Sequence, residues 1–134
     1  MSTLTTEAQA ALEAFSSASG WEARSRLLLQ WASRLPDVET RREQDLVHGC
    51  ESQVWVTHQP EGGKHFFRAG SDSRILRGLL TVLLARANGL TQDELAVLDI
   101  HDWLAQLGLE RQLSASRGNG LRAVIERMRV LAGA

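Results

Sequence analysis

One cysteine, Cys50, stands among 134 residues, so no disulfide can form within the chain. Neither sign of charge is in excess: 15 Lys and Arg face 16 Asp and Glu, a formal net charge of -1. That balance gives no electrostatic reason to expect nucleic acid or an anionic membrane as a partner. No apolar run approaches the ~20 residues of a membrane span. The best, Leu79 to Ala85, is short and interrupted by Thr81. The first residues include Glu7 and lack a basic-then-apolar pattern, so no secretory signal is expected. Internal repeats, low-complexity tracts, a phosphate-binding glycine loop and a Gly-x-Ser-x-Gly elbow are all missing. What remains is an ordinary balance of 43% apolar and 23% charged residues, enough to bury a real core. The expectation is a cytoplasmic protein with one domain over residues 1–134.

The first third reads as helix. Thr6 and Gln9 resemble a capping box ahead of Ala8, Ala11, Leu12 and Phe15, and Ser19 with Glu22 resembles a second. Behind the second, Trp21, Leu27, Leu28, Trp31 and Leu35 form one apolar stripe that Pro36 ends. Asp37 to Asp45 is polar throughout and reads as an exposed connection. Then the character changes. Val54–Thr57 and His65–Phe67 are β-prone runs separated by a proline and two glycines, which predicts a hairpin. Leu46-Val47 is a candidate third strand.

From Ser71 helix returns. Ser71 is the expected N-cap, with Asp72 in the first turn, where the helix dipole favours negative charge. Ile75, Leu76, Leu79, Leu80, Leu83 and Leu84 make a broad apolar face closed by Asn88-Gly89. Thr91 and Glu94 box a short helix, Asp99 caps another over Ile100–Leu107, and the last carries Leu121, Val124, Ile125, Met128 and Leu131. Strands between helical ends, without alternating βα units, predict an α+β fold. The sheet expected is small and antiparallel, about three strands, packed against several helices.

Cys50 directly follows Gly49 and precedes the first clear strand, which places it on a turn. A lone cysteine serves most simply as a small buried hydrophobe. On a polar loop it is instead a candidate nucleophile, activated by a protonated His48 or a nearby arginine and not by Glu51. His48, Cys50, His58 and His65 are acceptable zinc ligand types, and the last two face each other if the hairpin forms, but their spacing fits no compact zinc pattern. Ser114, His101 and Asp99 make a triad on paper, as some combination does in any chain of this size. Arg122, Arg127 and Arg129 read as the solvated face of the last helix, or as a docking patch.

Gly49-Cys50-Glu51-Ser52-Gln53-Val54-Trp55 is similar to the signature of the SufE-like family of sulfur-acceptor proteins. Gly70-Ser71-Asp72-Ser73 leading to Ile75 and Arg77-Gly78-Leu79, then Leu107-Gly108-Leu109, then Leu113–Arg117 running into Gly120-Leu121, agree with that family in order and spacing. Within it, Lys64–Phe67 and Leu113–Arg117 look more like the CsdE branch than SufE itself.

The resemblance implies an α+β domain of the kind shared with IscU-type scaffolds. It also implies that Cys50 takes sulfur from the persulfide of a PLP-dependent cysteine desulfurase, SufS- or CsdA-like, and passes it to an acceptor such as an iron–sulfur scaffold. The chain then acts as partner and activator, and is not a free-standing enzyme. It has no cofactor or metal of its own, the PLP belonging to the desulfurase. Gly49, His48 and Arg117 are the expected supporting residues, and Glu51 and Ser52 the expected partner contacts. Arg117 either steadies the cysteine loop or braces the last helix. A sole cysteine suits a carrier, because a second thiol would resolve the persulfide to a disulfide. The Val47–Ser52 loop is expected to open and close, with slack from Asp37–Asp45 and apolar cover from Val54, Trp55 and the Leu79 helix. Two alternatives remain: a cysteine-nucleophile hydrolase using His48 or His101 as base, and a helical adaptor with an inert cysteine.

Overall fold

The helix that carries Leu76, Leu79, Leu80 and Leu83 is buried on nearly every side, Val82 included. A helix covered on most sides belongs at the centre, and the other elements are arranged about it. The computed structural model describes residues 4–35, 42–48, 53–113 and 115–133. In chain order these form α1 (Thr6–Ser16), α2 (Gly20–Ala32), β1 (Val54–Glu61), β2 (Lys64–Ser71), the central α3 (Arg74–Ala87), α4 (Gln92–Ala96), α5 (Ile100–Gln106) and α6 (Ala115–Gly133). Short 3-10 turns lie at Glu43–Asp45 and Glu110–Gln112. The fold is α+β, as expected. Helices α1 and α2 and strand β2 pack on α3, while α6 packs on β1 and α4.

Close approach explains how α2 meets α3. A Cβ at Gly78 would lie 2.7 Å from the Leu28 backbone oxygen, so only glycine lets the two helices sit this near. At the other end of α3, Thr5 does two jobs. Its hydroxyl accepts from the Ala8 amide (3.2 Å), capping α1, and donates to the Ala85 carbonyl (3.2 Å), fastening α1 to α3. Trp103 on α5 is buried and donates from its indole nitrogen to the Val82 carbonyl at 3.0 Å. That bond answers the one polar group the ring carries.

The hairpin forms around Gly62-Gly63, whose φ values of 59° and 80° suit the two-residue turns that follow strand twist. Its ladder pairs Val54 with Ser71 through to Glu61 with Lys64, so both strands run longer than the β-prone cores. Pro60, which lacks an N–H, faces His65, and His65 turns its own N–H outward to the Leu90 carbonyl (2.9 Å). The proline therefore sits at an outward position that the ladder does not use. Beyond β2, the Asn88 side chain behaves as a strand peptide would. It accepts from the Phe67 amide at 2.8 Å and donates back to the Phe67 carbonyl at 3.3 Å.

Several expectations move. Among the described residues the sheet has two strands. The candidate third strand is a single bridge, Leu46 to Trp55, with the Val47 amide donating to the Val54 carbonyl at 2.8 Å. Thr5, and not Thr6, caps α1. Ser19 occupies the N-cap of α2 but makes no side-chain capping bond. Ser73 caps α3, accepting from Leu76 (3.3 Å); Ser71 belongs to β2, which also puts Asp72 ahead of the cap and outside the first turn. Trp21 does not join the buried stripe; it is half exposed, with the Arg111 guanidinium 5.7 Å from its ring. The Thr91–Glu94 box and the Asp99 cap are as expected.

Candidate functional site

Gly49, Cys50, Glu51 and Ser52 lie outside the described residues, and so does Ser114. What the structure describes is the frame on either side of the cysteine segment. On the upstream side, Glu43–Asp45 make one 3-10 turn, and Asp45 is buried with the Arg42 guanidinium 3.0 Å from its carboxylate. Arg127 of α6 donates to the Gln44 carbonyl (3.3 Å). Leu46 and Val47 then join the start of β1 through the bridge to Trp55 and Val54. On the downstream side Gln53 is exposed, and Val54 and Trp55 go straight into the core. The two ends of the stretch that carries Cys50 are thus fixed to each other, one hydrogen bond apart.

This narrows the stretch in which upstream slack was expected. Residues 37–41 are outside the described residues, but 42–47 are tied to α6 and to β1, and Asp45 is not part of an exposed connection. The polar run offered one signal for this: Arg42 and Asp45 stand at i and i+3, the spacing at which opposite charges meet across a helical turn.

His48, the last described residue before the segment, is exposed. Arg117 lies in the first turns of α6 and donates to the Gln112 carbonyl at 3.0 Å, across the turn that leads into its own helix. That contact is compatible with the bracing role weighed for it. The other arginines of α6 do more than make a solvated face, although Arg122 is exposed. Arg122 donates to His101 Nε2 (3.0 Å), and Arg129 holds the Leu95 (3.0 Å) and Leu98 (2.8 Å) carbonyls at the end of α4 while contacting Glu126. Each ties α6 to a neighbour or to its own next turn. Of the paper triad, Asp99 spends a carboxylate oxygen on the Asp102 amide (3.1 Å) and His101 is taken by Arg122.

His58 and His65 do meet across the hairpin, His58 Nε2 standing 2.9 Å from His65 Nδ1. Burial, with the neighbouring His65 adding to it, lowers the pKa of His58 and favours its neutral form. Among the described residues no three His, Cys, Asp or Glu side chains form a metal-holding group, so His48, His58 and His65 do not make one together; Cys50, the fourth zinc-ligand type read from the sequence, lies outside the described residues. No helix among these residues is long and apolar enough to cross a membrane.

Residues 9–132 match the family model described as SufE, Fe-S metabolism associated domain. The chain belongs to the SufE family. Among its relatives, a SufE-like protein of Rhizobium etli is 39% identical over 115 residues, 81% of this chain and 78% of that one. The sulfur acceptor protein CsdE of Escherichia coli is 37% identical over 125 residues, 91% of this chain and 85% of that one. A SufE-like protein of Haemophilus influenzae is 36% identical, covering 90% of this chain and 98% of its own. In three dimensions a hypothetical protein from Thermus thermophilus, solved in solution, superposes with a TM-score of 0.77 at 23% identity, over 98% of this chain and 96% of that one. That likeness concerns the fold. The SufE-family resemblance seen around Cys50 thus extends along the whole described frame.

Proposed function

We propose that this SufE-family chain accepts sulfur on Cys50 from the persulfide of a PLP-dependent cysteine desulfurase, stimulates that enzyme, and passes the sulfur on toward iron–sulfur cluster assembly. One observation carries the reading. The sole cysteine stands in the family's Gly-Cys-x-Ser-x-Val-Trp string, in a chain 37% identical to a protein named as a sulfur acceptor over 91% of its length.

The chemistry is an exchange at sulfur. The Cys50 thiolate attacks the outer sulfur of the donor persulfide, the donor S–S bond breaks, and the donor cysteine leaves as a thiolate. Cys50 then carries the persulfide, with no net oxidation or reduction. Having no second cysteine, the chain cannot discharge that sulfur internally as a disulfide. The anchored frame supports this use: with Val47 held to Val54, the cysteine is presented from a fixed base. Of the two histidines that the hydrolase alternative could use as base, His101 is engaged by Arg122.

Incubating the protein with a cysteine desulfurase and L-cysteine, then weighing it intact, tests the reading. The expected result is a mass gain of one sulfur atom that is absent in Cys50→Ser, with stimulation of the desulfurase lost in that variant and its melting temperature unchanged. A variant that folds and still stimulates sinks the transfer step. One that unfolds favours a packing role for the cysteine.

A further inference from the structure

The imidazoles of His58 and His65 are the one cluster of metal-ligating side chains in the described residues that the sulfur-transfer reading leaves unused. Their ring centroids are 5.1 Å apart and their planes 22° from parallel, with the facing nitrogens 2.9 Å apart. That centroid separation leaves little more than one ring radius beyond each nitrogen. The rings therefore meet edge to edge, and are not stacked face to face. His58 stands opposite Phe67 and His65 opposite Pro60, so the two are diagonal neighbours on one face of the hairpin. Both are half-buried.

Their backbones are held. The amide of His65 donates to the Leu90 carbonyl and its own carbonyl accepts from the Gly89 amide, both at 2.9 Å. The His58 ring lies 5.1 Å from the Phe67 ring, tilted by 31°. Two imidazoles whose nitrogens lie this close can both reach one metal once the hydrogen bond between them opens. On a tetragonal centre with metal–nitrogen bonds of ~2.0–2.1 Å, neighbouring nitrogens lie ~2.8–3.0 Å apart, whereas on a tetrahedral one they lie ~3.3–3.4 Å apart. The observed 2.9 Å is set by the hydrogen bond between the rings; it lies nearer the tetragonal edge, so less displacement leads to a tetragonal centre than to a tetrahedral one.

We propose that His58 Nε2 and His65 Nδ1 form a chelating site for a divalent metal of tetragonal preference, copper(II) or nickel(II), with water completing its coordination. Binding turns each ring about its Cβ–Cγ bond until both lone pairs point at one metal. The ring that now donates the hydrogen bond moves that proton to its other nitrogen. Two neutral imidazoles enter the site, and no proton is lost overall. The site lies on the hairpin and is independent of the sulfur-transfer reading.

The test uses the tag-free full chain carrying Cys50→Ser, so that a thiolate neither binds nor reduces copper. Copper(II) is titrated at neutral pH against a competing chelator. One ion per chain is expected, with a spin-resonance spectrum showing two imidazole nitrogens. Affinity should fall by about tenfold or more in both His58→Gln and His65→Gln, and stay unchanged in His48→Gln. Circular dichroism confirms that each variant is folded. Copper binding as tight in either hairpin variant as in the parent, or a spectrum with a single nitrogen, overturns the site. Nickel(II) should bind more tightly than zinc(II). The reverse order overturns the tetragonal assignment.

Discussion

Gly78 shows how much one missing methyl decides. In a helix, alanine is favoured over glycine by about 1 kcal/mol. Here the added Cβ meets the Leu28 carbonyl at 2.7 Å and the Leu28 Cγ at 2.9 Å, and the nearer atom is backbone, which cannot swing away. Overpacking then wins, and Gly78→Ala should destabilise the protein by about 1–2 kcal/mol net, read as a lower urea midpoint with the slope unchanged. A midpoint that rises would mean α2 slides on α3 at no cost. Arg129 makes a second case. Its guanidinium spans two carbonyls at the end of α4, a short helix with few bonds of its own. Arg129→Ala should cost about 1–2 kcal/mol. Arg129→Lys should recover half of that at most, because an ammonium is a point charge and not a fork. Equal stability of the two variants would reduce the interaction to charge alone.

At the level of elements, the hairpin turn is the plainest device. Both glycines have positive φ with open space where a Cβ would stand, so strain and not crowding penalises substitution. Gly62→Ala and Gly63→Ala should each cost about 1–2 kcal/mol in thermal unfolding, and Gly62→Asn much less. If asparagine is as damaging as alanine, the turn is not of the primed kind. This hairpin was legible in the sequence because glycine pairs carry a backbone requirement that no packing can override. Its ends were not. Gln59-Pro60-Glu61 have little strand preference and are carried into the ladder by register from the turn, while Arg68–Ser71 are carried in by the buried Ala69 and Gly70.

The shifted caps have the same origin. Thr5 and Thr6 are equivalent by composition, and so are Ser71 and Ser73. Docking of Thr5 on Ala85 and pairing of Ser71 with Val54 choose between them, and neither contact is local. Trp21 fits a helical stripe by spacing, but the Arg111 guanidinium lies over it. Cys50 was singled out by its family string, since composition alone favoured a packing role, and it lies outside the described residues. The arginines of α6 were only partly legible, because a helix face rich in charge gives no local sign that each charge reaches a partner on another element.

Across the whole molecule, the frame that holds the cysteine segment is assembled from distant pieces: a 3-10 turn, the start of β1, and Arg127 of the last helix. The Val47 amide, bonded to Val54, should exchange slowly with solvent both alone and with a desulfurase bound, because the bridge is the base from which Cys50 is offered. Fast exchange of Val47 in the complex would show that the frame itself opens. The sheet has a further consequence at this scale. Along β2, the Asn88 amide and the Gly89–Leu90 backbone take up the outward groups of Phe67 and His65. Along β1, the Val47 amide takes the Val54 carbonyl at one end, and Pro60 offers no N–H at the other. Partners that bind by adding a strand need a run of vacant peptide groups, and the His65–Phe67 stretch of β2 denies them one. A protein approaching that edge of the hairpin would meet side chains and find no backbone there to borrow.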